Sequence, residues 1–74
     1  MSTITVVSEV AGNVWKILVQ PGDTVAADQD VLIIESMKME IPAAAPRAGV
    51  VRELRVAEGE AVAERQALLV IDAA

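Results

Sequence analysis

The chain has 74 residues, of which 54% are hydrophobic, and a formal net charge of −5 without a single histidine or cysteine. That is one small domain near the lower size limit for a hydrophobic core. Disulfides, thiolate metal sites and a histidine general base are excluded, and the basic stripe of a nucleic-acid binder is missing. The apolar residues are Val, Ile, Leu and Ala with one Trp and no Phe or Tyr, which suits a compact all-β domain. No apolar run approaches the roughly 18 residues of a membrane span. The N-terminus lacks a charged stretch followed by an apolar one, so a soluble, cytoplasmic domain without membrane or nucleic-acid partners is expected.

Along the chain, the first organising signal is a repeat. "AGNVWKILVQPGDTVAADQDVLIIE" (11–35) overlays "AGVVRELRVAEGEAVAERQALLVID" (48–72) at a spacing of 37, with ten identities in 25 positions. The register also pairs Ile4 with Ile41. We therefore expect a single domain, 1–74, built from two half-repeats, 1–37 and 38–74, closed about a pseudo-twofold. Two units are too few for a solenoid.

Each half reads as strands. Gly12 and Gly49 are expected at a bend, followed by "VWKILV" and "VRELRV". In the second of these, Leu54 and Val56 fall on one face and Glu53 and Arg55 on the other. Ile17 and Val19 take the same inward places in the first half, and Lys16 faces solvent. Trp15 is expected to be partly buried at a sheet edge. Gly22 in "QPGD" and Gly59 in "AEGE" punctuate the halves as turn residues able to adopt positive φ. "VLIIE" and "ALLVID" are short apolar runs suited to covered strands. The stretch "VAERQALLVI" contains good helix formers, but its partner "VAADQDVLII" does not, so the repeat favours strands in both. Pro42 and Pro46 fit edge or loop positions, since they cannot donate to a ladder. The product is a flattened barrel or sandwich of small antiparallel sheets.

Lys38 opens the second half, at the seam, and its repeat counterpart is Met1. "IIES" entering and "MEIPA" leaving permit only a tight hairpin with Met37 and Lys38 at the tip. Two-residue turns prefer Asn-Gly or Asp-Gly, so Met-Lys breaks a local rule, as functional sites do. The lysine is therefore expected to be displayed. Glu35 and Glu40 read as solvated rim charges rather than an acid–base pair, and Met37 and Met39 as rim packing or a recognition surface. No set of nucleophile, base and orienting group exists, so the isolated domain is not expected to be an enzyme.

"ESMKMEIP" (35–42), set between the two half-repeats, resembles the biotinyl/lipoyl attachment domain family, and its Met-Lys-Met core resembles the biotin branch. The resemblance covers essentially the whole chain. It implies a flattened β-barrel of two four-stranded antiparallel sheets, a barrel-sandwich hybrid, with the modified lysine on an exposed hairpin. It further implies that Lys38 receives biotin from a biotin protein ligase, with Glu35, Ser36, Met37, Met39 and Glu40 forming the hairpin that the ligase reads. Biotin would then carry CO2 between the biotin carboxylase and carboxyltransferase of a biotin-dependent, acyl-CoA-type carboxylase. Ser36 stands where alanine is common in the family, and "QPGD" leaves no room for the inserted thumb of many acetyl-CoA carboxylase carriers. Lipoyl domains carry an Asp-Lys-Ala type triplet instead. A lipoyl carrier of a 2-oxo acid dehydrogenase or glycine cleavage system, a dual biotin/lipoyl attachment protein, and an unmodified interaction domain remain alternatives.

Overall fold

The computed structural model describes residues 2–74; Met1, the repeat counterpart of Lys38, lies outside them. Among the described residues every regular element is a strand: β1 (Thr3–Val7), β2 (Gly12–Ile17), β3 (Thr24–Val25), β4 (Asp30–Ser36), β5 (Met39–Ala44), β6 (Gly49–Leu54), β7 (Ala61–Val62) and β8 (Ala67–Ala73). They form two four-stranded antiparallel sheets, ordered β1-β8-β6-β3 and β5-β4-β2-β7. Adding 37 to the bounds of β2, β3 and β4 gives those of β6, β7 and β8, residue for residue. The same shift carries β1 onto β5 and the first sheet order onto the second.

The core follows the same symmetry. Val14 and Val51, Val19 and Val56, Val25 and Val62, Leu32 and Leu69, and Ile34 and Ile71 are all buried, each pair 37 residues apart. Ile17 and Leu54 are partly buried and pack against this core, while Lys16, Glu53 and Arg55 are exposed. The inward and outward assignments on these strands therefore hold.

Simple alternation does not carry this pattern back to Val14 and Val51, however, which lie three residues before Ile17 and Leu54 and also face inward. Val14 pairs with Ile34 and Lys16 with Ile33, so Trp15 is an extra residue, a bulge in β2. Val51 pairs with Ile71 and Glu53 with Val70, which makes Arg52 the matching bulge in β6. Two consecutive residues of each strand then lie outside, and Ile17 and Leu54 return to the core. Trp15 consequently stands 47% exposed on β2, which is flanked by β4 and β7, and not at a sheet edge as the sequence suggested.

Gly22 and Gly59 have φ of 95° and 88°, the left-handed turn conformation expected of them. Their N–H groups donate to the carbonyls of Val51 and Val14, each across to the other half of the molecule. Gly12 and Gly49 do not mark a bend. They open β2 and β6, and a Cβ there would overlap the carbonyl oxygens of Glu35 and Asp72 respectively. Close approach of two backbones, not positive φ, is what these two positions require.

Candidate functional site: the Lys38 hairpin

β4 delivers the chain outward from the core and β5 returns it. Ile34 faces Ile41 across the pair, Glu35 faces Glu40, and Ser36 faces Met39. Ile34 is buried and Ile41 partly so, which anchors the hairpin to the core one side-chain row below its end. Only Met37 and Lys38 remain to reverse the chain, and their φ values are 52° and 65°. Two consecutive left-handed residues are the signature of a type I′ turn, whose twist matches that of the flanking strands. Neither residue is Asn, Asp or Gly, so the turn is held by its strands against local preference. The displayed hairpin read from the sequence is present.

Met37 is 91% exposed at the tip and Met39 is 63% exposed beside it. These are large apolar side chains without a core to fill, unlike the buried Val, Ile and Leu beneath them. Lys38 is exposed as well. Among the described residues the ion pairs are Arg52–Asp72 and Arg55–Glu53, and Lys38 belongs to neither. A lysine at such a tip presents a flexible stem and an amine clear of the domain surface.

Glu35 and Glu40 are both exposed and directly opposite one another. Like charges directly opposite one another in a sheet are destabilising, though exposure to solvent screens this pair. They form an acidic collar one residue below the turn on each strand, as solvated charges. Among the described residues no group of three His, Cys, Asp or Glu side chains could hold a metal ion.

Two features of the site have weak sequence signals. The first is Gly12, whose missing side chain lets β2 press against Glu35 at the base of the hairpin. Its identity with Gly49 in the repeat was visible, but glycine marks both bends and close approaches. The second is Pro42, which lies in the edge strand β5, paired with Ile33 of β4. A proline there removes a donor from an otherwise open sheet edge, which blunts unwanted strand addition.

Comparison with known proteins gives this geometry a family. The family model described as "Biotin-requiring enzyme" (Biotin_lipoyl) matches residues 2–71. The chain belongs to the biotin/lipoyl attachment domain family. Members of this family carry covalently attached biotin or lipoate and act as carriers. The chain is 48% identical over 66 residues to the biotin/lipoyl attachment protein of Bacillus subtilis, covering 89% of this chain and 90% of that protein. It is 43% identical over 63 residues to the dihydrolipoyllysine-residue acetyltransferase component of the pyruvate dehydrogenase complex of Pseudomonas aeruginosa, covering 82% of this chain but 11% of that protein. Among solved structures, the urea carboxylase of Kluyveromyces lactis superposes with a TM-score of 0.91 at 32% identity, over 97% of this chain and 6% of that one. The two-sheet attachment-domain fold is therefore shared at high structural similarity with one segment of a far larger carboxylase.

Proposed function

We propose that this attachment domain is a biotin carrier and that Lys38 is its point of attachment. The observation that carries the proposal is the tip itself: Lys38 exposed on a left-handed two-residue turn, between the exposed Met37 and Met39. Such a tip fits a long covalent arm. The lysine stem extends it, the turn fixes the direction in which it leaves, and the rigid two-sheet body keeps the tether's base in one place. When bound, biotin supplies a ureido nitrogen that takes up and gives up CO2.

The chain's own part is presentation. The deprotonated ε-amine of Lys38 attacks the acyl carbon of adenylated biotin, the bond to AMP breaks and AMP leaves, and the resulting amide removes the lysine's charge. Among the described residues no side chain is placed to act as base or phosphate cradle for that step, so a biotin protein ligase supplies the activated acyl group. Glu35, Ser36, Met37, Met39 and Glu40 form the surface that the ligase reads. The loaded domain then serves the biotin carboxylase and carboxyltransferase of a biotin-dependent carboxylase of the acyl-CoA type. The domain itself is a non-catalytic carrier.

A lipoyl carrier is the second reading, favoured by the 43% identity to a dihydrolipoyllysine acetyltransferase component. The Met-Lys-Met triplet, in place of an Asp-Lys-Ala type, supports biotin over lipoate. Labelling in vitro with purified biotin ligase and lipoate ligase tests the choice. Wild type is expected to take biotin faster than lipoate, and Met37→Asp with Met39→Ala to reverse the preference. Wild type that takes only lipoate overturns the biotin assignment.

A further inference from the structure

We propose that Met37 is a site of reversible oxidation by hydroperoxides and that its sulfoxide blocks loading of Lys38. The chain has three methionines and no cysteine, so no thiol competes for a two-electron oxidant. Met1 lies outside the described residues, and of the other two Met37 is the more open, 91% exposed against 63% for Met39. Its thioether stands in solvent on a turn that leaves it nothing to pack against.

The sulfur lone pair attacks one oxygen of the hydroperoxide and the O–O bond breaks. The sulfur becomes a sulfoxide, oxidised by two electrons, and the other oxygen leaves as water from hydrogen peroxide or as the alcohol from an organic hydroperoxide. The product is polar where the thioether was apolar. Because the side chain contributes almost nothing to the core, the change alters the surface around Lys38 without altering the fold. The blocking of loading rests on the biotin-carrier reading, in which the ligase buries these flanking methionines. Placing a polar oxygen in an apolar contact slows loading by about tenfold. Methionine sulfoxide reductases return the thioether with two electrons from a dithiol, which becomes a disulfide, and the oxygen leaves as water.

The experiment treats the purified domain with hydrogen peroxide and follows three readouts: peptide mass mapping, melting temperature, and initial rate of biotin labelling. Met37 is expected to oxidise ahead of Met39 with an unchanged melting temperature, labelling to fall about tenfold, and sulfoxide reductases to restore it. The variant Met37→Leu, Met39→Leu labels at a rate of its own, which peroxide leaves unchanged. Full Met37 sulfoxide with undiminished labelling overturns the proposal while leaving the carrier reading intact. Oxidation of Met39 with Met37 spared overturns it too, as does a peroxide-sensitive double-leucine variant. Untreated protein that accepts no biotin sinks the carrier reading, and the blocking role falls with it.

Discussion

Gly12 lies against the carbonyl oxygen of Glu35 so closely that even a methyl side chain would overlap it, and Gly49 stands in the same relation to Asp72. The two contacts are equivalent in the fold but not in position. Glu35 is one residue below the Ser36–Met39 pair that closes the lysine hairpin, whereas Asp72 belongs to β8 in the other sheet. Gly12→Ala and Gly49→Ala should each destabilise the domain by about 1–3 kcal/mol as overpacking. Only Gly12→Ala should also slow labelling of the folded protein, by shifting the base of the hairpin. Equal labelling rates for the two variants, measured where both remain folded, would show that the hairpin does not depend on this contact.

The turn makes a second, opposed expectation. Met37 holds φ of 52° without the tolerance that Asn has for this conformation. Met37→Asn should therefore stabilise the domain by about 0.5 kcal/mol, raising the melting temperature by roughly 2–4 °C for a chain of this size. Its biotin labelling should nevertheless slow on the proposed reading of Met37 as an apolar recognition group. A lower melting temperature would mean that Met37 packs against the domain despite its exposure.

Core deletions should rank by burial. Leu69 is fully buried and pairs with the partly buried Leu54 across β6 and β8. Leu69→Ala should cost about 2–5 kcal/mol, and Leu54→Ala measurably less. Chemical denaturation of both variants checks the order; a larger loss at Leu54 would contradict the bulged register that leaves Leu54 near the rim.

Much of this arrangement is legible in the sequence. The 37-residue spacing is the shift that superposes the two sheet orders, and the position of Lys38 at the seam placed it on the β4–β5 hairpin. The short apolar runs of β4 and β8 read as strands, and the low helix propensity of the first copy decides the same reading for the second. The bulges were not legible, since a two-residue outward step at Trp15 and Lys16 resembles ordinary alternation until the partner strand fixes the register. Gly12 and Gly49 were misread for a related reason, since their need lies in a carbonyl more than twenty residues away in sequence. Asp28 and Arg65 both have φ of 68°, and their N–H groups donate to the carbonyls of Ala45 and Ser8. Arginine gives no hint of a left-handed turn, so only the tertiary hydrogen bond accounts for that position.

The central claim is that Lys38 alone carries biotin. Lys38→Arg should leave the melting temperature unchanged, as expected for an exposed tip residue, with an effect within about 0.5 kcal/mol. The most direct measurement is peptide mass mapping of this variant and the wild type, each produced together with a biotin protein ligase. The account predicts a biotin amide on Lys38 of the wild type, an unmodified Lys16 in both proteins, and no adduct on the variant. Biotin on Lys16, or a lipoyl group on Lys38 in place of biotin, would contradict it.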